Sequence, residues 1–254
     1  MSDKTNTVHS PLTGAEIQSI FTQTLDSVQH SRVQTARIPT ILEIMSKRIE
    51  HTALKISTTT SRIEQLCNEA LEYHFRGVCC LPRHMKTCAN ILQHTDILKI
   101  SVVDFPLCGA TPKDVVALAR SAVADGADEI DMVLDVPSLK TGNLRAALDR
   151  IAMVVEAIAP LPLKVILETA CLTESEIVIG CALAGMAGAA FVKTSTGFAD
   201  RGATIRDIEI MKLAVGNTMR IKASGGIKDA IFARQLIAAG ADVIGTSAGP
   251  ACLD

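Results

Sequence analysis

The chain has 254 residues, close to the ~250 of one eight-stranded α/β barrel and ample for a large core. Hydrophobic residues make up 48%, with no Trp and one Tyr, so the core is aliphatic and suits helices on a buried parallel sheet better than a β-sandwich. A formal charge of −2 with scattered basic residues argues against a nucleic-acid surface as the main function.

Met1 to Gly14 is polar and lacks the apolar core of a signal peptide. Ala15 to Val28 carries apolar residues at helical spacing (Ile17, Ile20, Phe21, Leu25, Val28), and residues 1–40 are expected to form an N-terminal helical extension. Residues 41–254 are expected to form one domain. Ile41 to Lys47 suggests a helix, Ile49 to Thr52 a first strand, and Thr60 opens the next helix. Gly77 to Leu81 is an apolar strand stopped by Pro82; His84 to Leu92 is helical; Leu98 to Phe105 is a third strand.

Thr111-Pro112-Lys113-Asp114 is a helix start, with a capping Thr, Pro at the first position and an acid in the first turn. Similar starts recur at Thr173 and Thr204. Helix-to-strand joins repeat as Gly126-Ala127, Gly188-Ala189 and Gly240-Ala241, each preceding an apolar strand. The run Ile177 to Val192 has no charge but contains three glycines and is short of a ~20-residue membrane span, so it reads as a buried helix entering a buried strand. Eight strands, beginning near 48, 78, 98, 129, 163, 190, 219 and 242, predict a (βα)8 TIM barrel, with a doubly wound sheet as the lesser option. Only Ala248 to Asp254 follow strand eight, so the eighth helix is incomplete or missing. The N-terminal helix is expected to cover part of that flank.

Eight cysteines (67, 79, 80, 88, 108, 171, 181, 252) form no C-x-x-C pair and read as reduced, buried apolar residues of a cytoplasmic protein. All six histidines lie at or before His94 without a ligand pattern, so neither a metal nor another cofactor is expected.

Lys164, Lys193 and Lys222 recur every 29 residues, and Asp131 lies 33 residues before Lys164. A strand plus its crossover helix takes about 30 residues, so the four are expected on four consecutive parallel strands. Clustered ammoniums lower one another's pKa, which yields a neutral amine able to attack a carbonyl. Asp131 supplies a carboxylate for proton transfer; the structural alternative is a buried ion network that merely holds the barrel. Gly225-Gly226 after strand seven and Gly245-Thr246-Ser247 after strand eight fit the phosphate-holding loops of such barrels, and Gly197 is a further candidate.

Four segments, Asp128 to Val133, Lys164 to Thr169, Phe191 to Gly197 and Ile221 to Gly226, resemble deoxyribose-phosphate aldolase in order and content, within a likeness running from about Ile49 to Ser247. The resemblance implies a metal-free class I aldolase that reversibly cleaves 2-deoxy-D-ribose 5-phosphate to glyceraldehyde 3-phosphate and acetaldehyde, serving deoxyribonucleotide breakdown. It implies Lys193 as the Schiff-base nucleophile, Lys222 as its pKa-lowering neighbour, Asp131 as the acid/base acting with an ordered water, and Lys164 in the proton relay. It further implies substrate contacts at Cys79, Glu50, Thr196, Gly197, Gly225, Gly226, Gly245 and Ser247.

The sequence departs from that pattern at Glu50, where the family has Asp, at Ala170 for Gly, and at Ala248 for Ser. The C-terminal Tyr that some members use in proton shuttling is absent. The alternatives are another Schiff-base aldolase or transaldolase, and a weak or inert sugar-phosphate-binding barrel. The only partner expected is the small-molecule substrate, with no nucleic acid or membrane; monomer and homodimer both stay open.

Overall fold

The computed structural model describes Ser19, Thr22 and residues 45–253. Ser19 and Thr22 have helical backbone; otherwise the expected helix over 15–28, its docking on the barrel and the boundary at residue 40 lie outside the described residues.

Eight parallel strands close into a barrel in sequence order. They are β1 (Ile49–Ala53), β2 (Gly77–Cys80), β3 (Leu98–Val103), β4 (Glu129–Val133), β5 (Leu163–Ile166), β6 (Phe191–Lys193), β7 (Arg220–Ser224) and β8 (Val243–Thr246). Closure is made by β1 pairing with β8, where Glu50 lies opposite Gly245. The crossovers carry α1 (Thr60–Glu72), α2 (Met85–Ile91), α3 (Pro112–Ala124), α4 (Val136–Lys140), α5 (Leu144–Ile158), α6 (Glu174–Met186), α7 (Ile205–Val215) and α8 (Ala230–Ala238). Two helices follow β4, neither of them delimited from the sequence. After β8 the described residues hold only a 3-10 turn, Pro250–Cys252, in place of an eighth helix. The helix expected over 41–47 is, within the described residues, a 3-10 turn at Met45–Arg48.

The predicted helix starts form as expected. Thr111 accepts from the Asp114 N–H, and Thr173/Glu176 and Thr204/Asp207 close reciprocal capping boxes. Each satisfies N–H groups that the first turn of a helix leaves without partners. Gly240 ends α8 at φ 122°, a backbone region that a side chain makes costly, and Gly126 and Gly188 repeat the join.

Strand parity sorts the core. Outward residues such as Val78, Cys80, Ile130, Met132, Val165, Val192, Ile221 and Ile244 pack against the helices in one continuous apolar layer. Inward residues are of two kinds. Leu54, Cys79, Ile100 and Val102 form a small apolar cluster on the β1–β3 side. Asp131, Lys164, Lys193 and Lys222 fill the β4–β7 side, and all four are buried. Among the described residues no helix is long and apolar enough to cross a membrane. The cysteines are free and six are buried, but Cys171 is exposed and Cys108 half-buried, because both lie in loops after strands rather than in the apolar layer.

Candidate active site

The neighbouring strands β4 to β7 deliver Asp131, Lys164, Lys193 and Lys222 to the barrel interior, and Asp131 stands at their centre. Its Oδ1 accepts from Lys164 Nζ at 3.0 Å, and its Oδ2 accepts from Lys193 Nζ at 2.9 Å and Lys222 Nζ at 2.7 Å. The equal spacing of the three lysines does not place them at one level. Lys193 lies in register with Lys222, but Lys164 pairs with Phe191, two residues earlier on β6. The stagger needed to close the barrel therefore drops Lys164 a layer below Lys193. There Lys164 meets Glu129 at 2.5 Å and Glu50 at 3.6 Å.

Charge partners are thus unequally shared. Among the described residues Lys164 has three carboxylates, Glu129, Asp131 and Glu50; Lys222 has two, Glu50 and Asp131; Lys193 has Asp131 alone. Burial penalises every one of these ammoniums. For Lys164 and Lys222 the carboxylates outweigh it, and both are held above the ordinary lysine range. For Lys193 burial prevails, helped by the neighbouring Lys222 charge against the pull of Asp131, and its pKa falls below the ordinary value. Asp131 is pushed up by burial but held well below the carboxylate range by Lys164, Lys193 and Lys222. The arrangement contains one amine poised to be neutral, one carboxylate poised to be charged, and two fixed ammoniums.

Above Lys193 opens a cavity of about 470 Å³. Lys193 is joined in its wall by Thr196, Gly197, Gly225, Gly226, Gly245 and Ser247, all named from the sequence. Lys55 and Lys228, which sequence reasoning did not single out, also line it; both are exposed cations at its rim. Thr196 also fixes the loop after β6. Its N–H and hydroxyl both donate to Glu168, and its hydroxyl oxygen accepts from the Phe198 N–H at 3.1 Å.

Glu50 and Cys79 do not line the cavity. Glu50 lies below it, accepting from Lys222 and from Arg76. The longer carboxylate at this position therefore keeps its contact to Lys222. Cys79 is fully buried, and burial raises its thiol pKa, which favours the uncharged thiol. Sequence reasoning missed Arg76, whose guanidinium also grips Glu129 at 2.6 and 3.0 Å. Among the described residues no group of three or more His, Cys, Asp or Glu is placed to hold a metal ion.

Gly245 is what lets Lys222 reach this cluster. A Cβ there would lie 2.8 Å from Lys222 Cε and 3.2 Å from Ser224 Cβ. The Lys222 ammonium is pinned at its far end by Glu50 and Asp131, so it has no free direction in which to yield. Gly245→Ala is expected to lower kcat about 10- to 100-fold while far-UV circular dichroism stays unchanged; unaltered turnover would show that the lysine relocates freely.

With this geometry in view, comparison with known proteins is specific. The family model for DeoC/LacD family aldolases matches residues 40–253. The deoxyribose-phosphate aldolase of Brevibacillus brevis is 46% identical over 205 residues, spanning 81% of this chain and 93% of its own. That of Macrococcus caseolyticus is 45% identical with the same coverage. Among solved structures, the deoxyribose phosphate aldolase of Aeropyrum pernix, described as a tetramer, superposes with a TM-score of 0.76 at 28% identity, covering 93% of this chain and 96% of its own.

Proposed function

The chain belongs to the DeoC/LacD family of aldolases, and on that premise we propose that it reversibly cleaves 2-deoxy-D-ribose 5-phosphate to D-glyceraldehyde 3-phosphate and acetaldehyde through an imine on Lys193. The observation that carries the assignment is the unequal sharing of carboxylates, which singles out Lys193, at the cavity floor, as the amine to lose its proton.

The neutral amine attacks C1 of the open-chain sugar, and loss of water gives a protonated imine. Breaking C2–C3 sends its electron pair into that imine and leaves a neutral enamine, while the C3 hydroxyl becomes the aldehyde of the departing triose and gives up a proton. Asp131, held ionised by its three lysines, is a weak base at rest. Cleavage discharges the positive imine beside it, so its basicity rises as the C3 proton arrives, directly or through an ordered water. One positive and one negative charge disappear together, a favourable exchange in a buried site. The protonated Asp131 then returns the proton to C2 of the enamine, and hydrolysis of the resulting imine releases acetaldehyde. Lys222 and Lys164 keep the field around both groups fixed, and Lys164 extends the proton relay.

The sugar phosphate is assigned to the loops after β7 and β8. Gly225 and Gly226 have φ 87° and 75° there, turning backbone toward the rim where Lys228 and Lys55 add positive charge. Ser247→Asp, which puts a carboxylate into that cradle, is expected to raise KM for the phosphorylated sugar tenfold or more and to leave cleavage of unphosphorylated 2-deoxyribose unchanged. Equal losses with both sugars would move the phosphate elsewhere.

The cysteines of the described residues are all free, which supports a reducing, cytoplasmic setting. An inert sugar-phosphate binder has no need of a buried amine whose pKa is lowered, at the cost of desolvating three lysines. The direct test is aldol cleavage of 2-deoxy-D-ribose 5-phosphate in excess chelator, with full activity expected; activity that vanishes and returns with a divalent metal would refute a metal-free imine route.

A further inference from the structure

Below the cavity the charged cluster continues into a layer that the imine chemistry does not touch. Arg76 lies just before β2, its side chain 14% exposed, with its guanidinium joined to Glu50 and, by two bonds, to Glu129. Glu50 continues to Lys222, and Glu129 to Lys164. Both lysines bond Asp131, the only carboxylate among the described residues that Lys193 touches. One connected set of charges, buried except for the partly exposed Arg76, therefore runs from the barrel floor to the nucleophile.

We propose that Arg76 is a positioning residue that fixes the protonation of Lys193, acting from the floor of the barrel through Glu50 and Glu129. The inference rests on the imine role of Lys193. With every amine protonated the set contains Arg76, Lys164, Lys193 and Lys222 against Glu50, Glu129 and Asp131, an excess of one positive charge. Buried ionic sets tolerate an excess charge poorly, and release of one proton balances this one. Arg76 cannot be the donor of that proton, because a guanidinium stays charged at any pH a protein survives. Lys164 and Lys222 are each held by two or more carboxylates, which leaves Lys193. Replace Arg76 by a neutral side chain and the set balances with Lys193 still charged. An arginine remote from the substrate thus determines whether the nucleophile is an amine or an ammonium.

Other groups facing Lys193 do not alter this balance. Cys79 of β2 is kept as the thiol by burial. Lys55 and Lys228 stand exposed at the rim, where water screens them. Glu168, after β5, is occupied by Thr196. Arg220 of β7 stacks on Phe191 at 4.0 Å but is exposed. The inward positions of β3 (Ile100, Val102) and β8 (Val243, Gly245) bear no charge.

The test is the pH midpoint of imine formation, read by mass as the reductively trapped acetaldehyde adduct on the Lys193 peptide. In Arg76→Met the midpoint is expected to rise by about one pH unit or more, slowing adduct formation about tenfold at a pH below both midpoints. Arg76→Lys keeps the charge and should leave the midpoint within about 0.3 unit of the parent. Arg76→Met with Glu129→Gln removes one charge of each sign and should restore the parent midpoint, whereas Glu129→Gln alone should lower it. A structural role for Arg76 would change thermal stability in these variants without this pattern. An unmoved midpoint in Arg76→Met, or a double variant shifted as far as Arg76→Met, overturns the proposal. Should Arg76→Met fail to fold, Glu129→Gln and the double variant decide it: the lowered and restored midpoints support it, and no movement in either overturns it. Absence of any Lys193 adduct in the parent would instead remove the role of Lys193 itself.

Discussion

Lys193→Ala is expected to abolish aldol cleavage, lowering kcat by about 10⁴-fold or more, and to eliminate the acetaldehyde adduct. The magnitude follows from what the side chain supplies. Without an imine, breaking C2–C3 would leave a carbanion stabilised only by a carbonyl, and no other amine in the barrel can take over. Lys164 lies a layer deeper, fully buried and bound to three carboxylates. Lys222 is held by two, and both lysines stay protonated. Lys193→Ala also removes one cation that Asp131 touches, so the carboxylate remains paired with Lys164 and Lys222 and the barrel should stay folded. Near-parental turnover in a folded Lys193→Ala enzyme would show that the imine forms elsewhere or not at all. A variant that keeps binding the sugar phosphate while losing all turnover is the expected result.

The sequence made the strands and the central constellation legible because two independent periodicities agree there. Apolar residues on β4 to β7 alternate with charged ones, which assigns Asp131, Lys164, Lys193 and Lys222 to the inner face, and the ~30-residue repeat assigns them to consecutive strands. Chain spacing cannot show stagger, and so the deeper position of Lys164 emerged only with the register of β5 on β6. Glu129 was legible in principle, since it lies two residues before Asp131 and shares its face. Arg76 was not, because it precedes its strand, in His74-Phe75-Arg76-Gly77, where an arginine ordinarily belongs to solvent. Its burial depends on two carboxylates from strands 26 and 53 residues away, a juxtaposition no local pattern encodes. Glu50 is a similar case. Its difference from the family pattern suggested a disturbed contact, yet the longer side chain spans Lys222 and Arg76 together. The loop cysteines 108 and 171 misled for the opposite reason, since composition predicts burial without knowing that both follow strand ends.

Lys222→Met should cost about 10²- to 10³-fold in kcat near neutral pH, and part of that loss should return as the pH is raised. The side chain is nearly isosteric, so the cavity floor keeps its shape and the change is one of charge. Attack requires the neutral amine, so the rate of imine formation rises with pH until the Lys193 midpoint is passed and then levels. Burial sets that midpoint below the ordinary lysine value, and the adjacent Lys222 ammonium lowers it further against the opposing Asp131 charge. Removing Lys222 takes away a repulsive neighbour and leaves Asp131 more available to Lys193, since both amines now bond the same Oδ2. Both changes favour the ammonium, so the rising limb must move to higher pH. The activity regained in alkali measures the share of the loss due to protonation; what stays lost measures the contribution of Lys222 to holding Asp131 in place. Lys222→Arg restores the charge with a different shape, and should return the midpoint without returning full turnover. A Lys222→Met profile parallel to the parent at every pH would leave Lys222 an anchor for Asp131 and Glu50 and no more.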